Sequence, residues 1–248
     1  MQDVGEGEFV DVSQHGEAGI LAGLVRDDWP RFLVDVGAHD GRSLSNSFPF
    51  LQLGWSGVVV EPLPAAFERL LSLYGGRSGV RCVHAACAAE DGEMALVVGD
   101  DAPLAMTSSL RAAPGRRSVD VRVRTLTSLL SECAAPADFS LLLVDAEGID
   151  REVLSGLDFE RWRPRVVVTE DRDPELLSAR GYVLYTVVRA TNAIWLRADL
   201  MPGDPPARSG VPLLSPAEAR RTVPGEILDG TARAQCLPLA HNASEHRL

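Results

Sequence analysis

Residues 31–36 form an apolar run that leads into a glycine-containing turn, and this combination limits the fold more than any other feature of the chain. Asp35 lies in the run, and Gly37 and Gly41 follow it with the spacing acid-x-Gly-x-x-x-Gly. This pattern is typical of a buried parallel strand that turns sharply into a helix, where missing Cβ atoms let a ligand approach the backbone. A second apolar run ends in Glu61, twenty residues beyond Gly41. Because a carboxylate at that distance can accept hydrogen bonds from a ribose, we expect a nucleotide-containing ligand, either a dinucleotide or S-adenosylmethionine.

The remaining pattern predicts an α/β fold with a doubly wound, mostly parallel sheet. The predicted strands of this sheet are 31–36, 57–61, 80–86, 139–145 and 165–169, and the predicted helices are 13–26, 43–53, 65–73 and 149–155. Two more polar strands at 94–98 and 119–124, and a closing antiparallel hairpin at 182–188 and 193–197, complete the prediction. We expect an N-terminal helical segment at 1–30, a ligand-binding domain at 31–200 and a tail rich in Pro, Ala and Arg at 201–248, with one short helix near 216–221.

Composition excludes several functions. The net charge of −11 argues against a nucleic-acid partner, since phosphate binding needs clustered basic residues. All 24 basic residues are arginine, so there is no lysine for a Walker A motif, a Schiff base or a short-chain dehydrogenase. No apolar run approaches the length of a membrane span, and the acidic N-terminus lacks a signal-peptide core. The four cysteines show no metal-binding spacing, and we expect a cytoplasmic protein with reduced thiols.

Carboxylates close most of the predicted parallel strands. Asp35 is followed by Asp40, and the other strand ends carry Glu61, Asp145 and the pair at 170–171. A single acid at a strand end commonly caps the next helix. Four such endings in one sheet favour a ligand site, because the carboxyl ends of parallel strands meet at one edge.

Three motifs in order resemble the FkbM-type methyltransferases. They are Val-Asp-Val-Gly-Ala-His-Asp-Gly at 34–41, Gly-Trp-x-Gly-Val-Val-Val-Glu-Pro at 54–62 and Leu-Val-Asp-Ala-Glu-Gly at 143–148. Residues 13–17 and 43–47 match a common variant of the family, and the resemblance covers about 14–197. It implies a Rossmann-like class I methyltransferase that uses S-adenosylmethionine, mostly to O-methylate natural products and sugars. Family members often have lysine where this chain has Val144, which puts the electrostatic tuning near Asp145 in doubt.

The resemblance also implies a set of cofactor-binding residues. The methionine part of the cofactor would lie against Gly37, His39, Asp40 and Gly41, with Ser43 facing the same pocket. Glu61 would bind the ribose, and the residues after the third strand would lie along the adenine. The complete predicted set is Asp35, Gly37, His39, Asp40, Gly41, Ser43, Glu61, Pro62, Ala86, Cys87 and Asp145.

Methylation of an aliphatic hydroxyl needs a general base, a metal that lowers the hydroxyl pKa, or both. Asp145 and Glu147 are candidate catalytic residues that could supply one metal ligand and one base, and His39 in the glycine turn is a further candidate base. Asp145, Glu170 and Asp171 are candidate ligands for Mg²⁺, which prefers oxygen ligands. Alternatively, Glu170 and Asp171 cap a helix near residue 174, and Asp145 only orders the ammonium group of the cofactor.

We therefore predict a methyltransferase whose partner is a small-molecule acceptor, such as a natural product or a glycoside hydroxyl. His15 and the helix before the first strand are candidates for the acceptor side. The sequence indicates no nucleic acid and no membrane, and it leaves open a homo-oligomer and the choice of O- or N-methylation. An NAD-dependent oxidoreductase is the alternative enzyme, although Gly-x-x-x-Gly is not its Gly-x-Gly-x-x-Gly motif. A non-catalytic nucleotide-binding module is the alternative outside enzymes.

Overall fold

The structure of the protein, a computed structural model, describes residues 9–97, 118–170, 174–201 and 235–236. Its strands are β1 (Val10–Asp11), β2 (Phe32–Val36), β3 (Ser56–Val60), β4 (Val80–Val83), β5 (Ala86–Cys87), β6 (Gly92–Val97), β7 (Ser118–Arg124), β8 (Asp138–Val144), β9 (Arg163–Thr169), β10 (Tyr182–Val188), β11 (Asn192–Arg197) and β12 (Gln235–Cys236). Its helices are α1 (Glu17–Leu24), α2 (Phe48–Gln52), α3 (Pro64–Tyr74), α4 (Leu126–Glu132), α5 (Asp150–Ser155) and α6 (Pro174–Ala179), with a 3-10 turn at Ala198–Leu200. None of the helices in these ranges is long and apolar enough to cross a membrane.

Seven strands form the central sheet in the order β10-β11-β9-β8-β2-β3-β4. The strands from β9 to β4 pair in parallel, and β11 is antiparallel to both of its neighbours. The chain starts in the middle of the sheet at β2, builds outward to β4, and then returns to β8 on the other side of β2. Ligands of doubly wound sheets bind where the strand order reverses, which here is the carboxyl edge between β2 and β8.

Continuous apolar runs form the middle of this sheet because both of its faces are covered. Helices α1, α2 and α3 pack on one face, where Leu33 and Val59 point. Helices α4, α5 and α6 pack on the other face, where Val34 and Val60 point. The predicted doubly wound fold with its closing hairpin is confirmed, and the two cores hold the carboxyl edge rigidly between them.

A small second sheet corrects the prediction of a single strand at 80–86. The chain leaves the central sheet after Val83, and β5 pairs in parallel with β7 instead. The antiparallel partner of β7 is β6, so the two predicted polar strands form a hairpin as expected. The residues between them, which include Thr107 to Arg111, lie outside the described part of the chain.

Two predicted helices are shorter than the sequence pattern suggested. The segment predicted at 43–53 is helical only from Phe48, because Ser45 accepts hydrogen bonds from the backbone N–H groups of Ser47 and Phe48. Such local side-chain bonds compete with helix formation. The segment predicted at 13–26 is helical from Glu17, after Gly16 adopts a φ of 87°.

Only a two-residue contact is described in the predicted tail. β12 pairs antiparallel with β1, which aligns Cys236 with Val10. The short helix predicted near 216–221 lies outside the described residues.

Candidate active site

The glycine turn after β2 is held against the end of β3. The backbone N–H groups of Gly37 and Ala38 both donate to the carbonyl of Val60, at 3.0 Å each. Gly41 closes the turn by donating to the carbonyl of Ala38 at 2.8 Å. His39 lies at the centre of the turn with a φ of 51°. These hydrogen bonds fix the conformation of the turn at the point where the strand order of the sheet reverses.

The structure gives a different reason for the two glycines than ligand approach alone. A Cβ atom on Gly37 would lie 1.9 Å from the carbonyl oxygen of Asp145, at the end of the neighbouring strand. A Cβ atom on Gly41 would lie 2.7 Å from side-chain atoms of both Leu70 and Tyr74. Both positions also have a positive φ. Packing within the protein therefore already excludes a side chain at either position.

Glu61 connects the glycine turn to the segment after β3. One of its carboxylate oxygens accepts from the backbone N–H of His39 and the other from that of Leu63, at 2.8 Å each. The side chain is buried, and burial raises its pKa to about 7, with a smaller contribution from repulsion by Asp35. Each oxygen still has a lone pair for a further donor. The carboxylate can therefore hold the turn and accept hydroxyl groups of a ligand at the same time.

Asp35, the acid in β2 before the turn, makes a hydrogen bond inside the protein. It is buried and accepts a hydrogen bond from the Ser47 hydroxyl at 2.5 Å. Burial raises the pKa of Asp35 to about 6, although the hydrogen bond acts in the opposite direction. Its direct partner is thus the segment before α2, which sequence reasoning did not single out for this role.

Asp40 and Ser43 bond to each other within the loop. Asp40 accepts from the backbone N–H groups of Arg42 at 2.9 Å and Ser43 at 2.7 Å, and from the Ser43 hydroxyl at 2.7 Å. Partial burial would raise the pKa of Asp40, but these hydrogen bonds lower it below its ordinary value. Both predicted cofactor residues therefore have an evident structural role in shaping the turn.

The two histidine rings near the glycine turn and Glu61 differ in their hydrogen bonding. Neither ring nitrogen of His39 has a hydrogen-bond partner among the described residues, although both atoms are buried. Nδ1 lies 3.7 Å from a carboxylate oxygen of Asp40. Next to Glu61, the carbonyl of Pro62 pairs with the ring of His84 at 3.0 Å, and His84 stacks on Phe67. His84 is thus an exposed residue beside the predicted ribose site.

The predicted adenine contacts lie deeper than expected. Ala86 and Cys87 are both buried, and they pair with β7 in the second sheet. Burial raises the pKa of the Cys87 thiol to about 12, so the thiol stays protonated.

Four carboxyl groups gather at the ends of β8 and β9: Asp145, Glu147, Asp150 and Glu170. Loss of surrounding water raises the pKa of Asp145 to about 7, and repulsion from Glu170, Glu147 and Asp150 adds to the effect. Loss of water likewise raises the pKa of Glu147 to about 7, again with repulsion from Glu170 and Asp150. Asp145 is nevertheless exposed at the edge of the sheet, so solvent opposes both the loss of hydration and the repulsion, and the shift of its pKa is smaller than for a buried carboxyl group. Glu147 is half-buried and has a φ of 52°. Crowding at this edge therefore raises the pKa of both Asp145 and Glu147 above that of an ordinary carboxyl group.

Asp150 is the residue of this site that sequence reasoning missed. It is fully buried at the start of α5. Its two oxygens accept from the backbone N–H groups of Ala146 and Glu170, at 2.9 and 2.7 Å. In sequence it is simply an acid in the first turn of a helix, where acids are common for electrostatic reasons.

A metal centre finds little support in this arrangement. No three His, Cys, Asp or Glu side chains within the described ranges come together as a metal would require. Of the predicted ligands, Asp145 and Glu170 share one edge and repel each other, whereas Asp171 lies outside the described residues.

The N-terminal segment reaches this edge from the side of α1. Ser13 forms a parallel bridge with Leu44, in the loop after the glycine turn. Glu17 is fully buried and accepts from the Asn192 side chain at 2.7 Å and from the backbone N–H of His15 at 2.8 Å. Asn192 starts β11, whose next residue is aligned with the last residue of β9. Residues 13–17 therefore run between the glycine-turn loop and the end of β9.

The strand order, the glycine turn and the strand-end acids define a Rossmann-like α/β protein of the class I methyltransferase type. The family model described as "Methyltransferase FkbM domain" matches residues 35–183, more than half of the chain. The chain therefore belongs to the FkbM methyltransferase family, which is S-adenosylmethionine-dependent, and the predicted resemblance is confirmed. This assignment favours the methyltransferase interpretation over the oxidoreductase.

Solved structures with similar folds include three methyltransferases. A methyltransferase FkbM from Methylobacillus flagellatus is 17% identical with a TM-score of 0.45, over 71% of this chain and 45% of that chain. A precorrin-6y C5,15-methyltransferase from Geobacter metallireducens is 14% identical with a TM-score of 0.39, over 79% and 95%. A TehB-like SAM-dependent methyltransferase from Corynebacterium glutamicum is 12% identical with a TM-score of 0.37, over 75% and 89%. The chain thus spans less than half the length of the FkbM structure. No curated protein sequence matches it.

Proposed function

We propose that this protein transfers a methyl group from S-adenosylmethionine to a hydroxyl of a small molecule, such as a natural product or a sugar. The observation that carries the proposal is the placement of Asp145 and Glu147 just after β8, where the Asp145 carbonyl lies against Gly37 and burial raises the pKa of both carboxyls. A group that titrates near the working pH is well suited to general-base catalysis.

Residues of the glycine turn and of Glu61 fit the cofactor. Glu61 has free lone pairs for the two ribose hydroxyls, while its bonds to His39 and Leu63 keep it in place. Both ring nitrogens of His39 are buried without a partner among the described residues, so a polar group of the ligand can satisfy one of them. We place the ammonium of the amino-acid end against Asp145, which lies across from Gly37.

Glu147 is our candidate for the general base. When bound, the cofactor supplies a methyl group activated by its sulfonium. The Glu147 carboxylate takes the proton of the acceptor hydroxyl as the oxygen forms its bond to the methyl carbon, and the electron pair of the broken carbon–sulfur bond stays on sulfur. Because methyl transfer needs the acceptor oxygen, the methyl carbon and the sulfur in line, the site must also orient the acceptor.

Residues 13–17 are proposed to form one wall of the acceptor site. Support comes from the bridge to Leu44 on one side and the buried bond from Asn192 to Glu17 on the other. His15 lies between these two anchors and is half-buried. This location makes the N-terminal segment, and not only the nucleotide-binding domain, part of the determinant of acceptor choice.

The test combines binding with turnover. Purified protein is titrated with S-adenosylhomocysteine by calorimetry, and then incubated with S-adenosylmethionine and a panel of methyl glycosides and hydroxylated natural products. Mass spectrometry detects the methylated acceptor. Glu147→Gln should retain S-adenosylhomocysteine affinity and lose about 10²–10⁴-fold in turnover, the usual contribution of a general base. Glu152→Gln, an exposed glutamate on α5, is the matched control. Turnover equal to wild type in Glu147→Gln would assign the base elsewhere.

Three further features accompany the proposal. The acidic net charge favours a small-molecule acceptor over a nucleic acid. The cysteines whose side chains are described, Cys82, Cys87 and Cys133, are free thiols, which is typical of a cytoplasmic protein. A metal-assisted mechanism needs a third ligand beside Asp145 and Glu170, and we derive no step through a metal.

A further inference from the structure

We propose that Asp150 is a positioning residue that fixes the ends of β8 and β9, so that Asp145 is held in the orientation required to bind the amino-acid end of the cofactor. This inference rests on the function proposed above. It assigns a role to a residue that would act on the ligand indirectly, through the backbone N–H groups of Ala146 and Glu170.

The hydrogen-bond ladder between β8 and β9 ends where Asp150 begins to act. The last aligned pair of the two strands is Val144 and Thr169. Beyond it, the N–H groups of Ala146 and Glu170 point to the two oxygens of one Asp150 carboxylate, at 2.9 and 2.7 Å. The carboxylate thus joins the two strands beyond the point where they join each other.

Asp145 is fixed from both sides as a result. Its own N–H donates to the carbonyl of Val36 at 3.0 Å, which ties it to β2. Its carbonyl lies so close to Gly37 that a side chain there would overlap it. The peptide that follows is held at Ala146 by Asp150. The backbone on both sides of the Asp145 side chain is therefore set by these contacts.

Stability alone does not account for a carboxylate at this position. Asp150 is fully buried and repels both Asp145 and Glu147. A buried charge is expensive even when it is hydrogen-bonded, and uncharged replacements of buried charged groups are often neutral or stabilising. The N–H groups of Ala146 and Glu170, however, reach different oxygens of Asp150, and a carboxylate is the short side chain that offers an acceptor on both sides.

The test compares two ligands that differ only at the amino-acid end. S-adenosylhomocysteine carries that end, and 5′-methylthioadenosine keeps the adenosine and the sulfur but lacks it. In Asp150→Asn, one oxygen acceptor is replaced by an NH₂ group that faces a backbone N–H. We expect S-adenosylhomocysteine to bind about tenfold more weakly, the equivalent of about one hydrogen bond, while the Kd of 5′-methylthioadenosine changes by less than about twofold.

Asp138→Asn is the matched control. Asp138 starts β8, the strand that ends just before Asp145, and it pairs with Arg165 and Arg197 at the opposite edge of the sheet. This variant should leave both Kd values unchanged. Equal weakening of the two ligands in Asp150→Asn, or no weakening of either, would overturn the positioning role. A wild-type protein that binds neither ligand would instead refute the proposed function.

A second variant covers the case in which Asp150→Asn does not fold. Asp150→Glu keeps a charged acceptor for both N–H groups but pushes the strand ends apart by one methylene. The same selective loss for S-adenosylhomocysteine is expected. Retained wild-type affinity for S-adenosylhomocysteine in this folded variant would contradict the inference.

Discussion

Replacement of Glu61 by glutamine should weaken cofactor binding in a pH-dependent manner. Glu61 is 4% exposed, accepts two backbone hydrogen bonds and has a pKa raised to about 7 by burial. Ribose hydroxyls donate hydrogen bonds, so they bind the ionised carboxylate more tightly than the protonated one. The affinity of wild-type protein should therefore rise with pH.

The magnitude follows from the fraction of ionised Glu61. A carboxyl with a pKa of about 7 is ionised in roughly nine of ten molecules at pH 8 and one of ten at pH 6, so affinity should rise about tenfold over this range. Hydrogen bonds to a charged group contribute about 1.5–3 kcal/mol, so Glu61→Gln should weaken binding by roughly 10- to 150-fold at pH 8. The gap between the two proteins should narrow at pH 6.

The assay is calorimetric titration of S-adenosylhomocysteine at pH 6, 7 and 8, in buffers with different ionisation enthalpies. Proton release on binding should occur in the wild type and be smaller in the variant. Glu68→Gln, an exposed glutamate on α3, provides the same chemical change without the contacts. Thermal unfolding verifies that each variant is folded. Wild-type affinity of folded Glu61→Gln at pH 8 would show that the ribose binds elsewhere.

Three other predictions concern the turn, the buried acids and the metal. Gly37→Ala should lower the free energy of unfolding by more than about 3 kcal/mol in denaturant titrations, because the new Cβ overlaps the Asp145 carbonyl. Gly54→Ala is the control, because Gly54 has a similar φ but open space around it, so this variant measures the cost of the backbone conformation alone. Similar losses in the two variants would contradict the overlap. The free energy of unfolding should fall as pH rises from about 5 to 7, because Asp35 and Glu61 have raised pKa values in the folded protein and lose their protons more readily in the unfolded chain. Glu61 alone accounts for about 3 kcal/mol of this fall. A rise in stability over this range would contradict the burial of Glu61 as a neutral acid. Because the proposed base, Glu147, acts without a metal, methyl transfer should continue in excess EDTA. A loss of activity that Mg²⁺ restores would show that the reaction uses a metal.

The sequence predicted the central sheet because its strands are continuous apolar runs. Runs such as those in β8 and β9 fit only a strand covered on both faces, and the glycine turn marked the first of them. The sequence also placed the Glu61 carboxylate beside the glycine turn, since one helix and one strand set the distance between them.

Other features depend on contacts that a linear pattern does not reveal. Ser45 and Ser47 replace a predicted helical turn with bonds to the backbone and to Asp35, and these partners are known only once β2 is placed. Packing against side chains of α3 already requires a glycine at position 41, and that packing is not visible in the linear pattern. Asp150 was missed because its role depends on two strand ends lying within reach of one side chain.

The buried bond between Glu17 and Asn192 also has a consequence for the order of folding. Its two residues are 175 positions apart. During synthesis α1 leaves the ribosome first, yet the amide that neutralises the polarity of its fully buried carboxylate is made only when β11 appears. A chain terminated before the hairpin would bury this carboxylate without its amide donor, so we expect stable docking of the first helix to wait for β11.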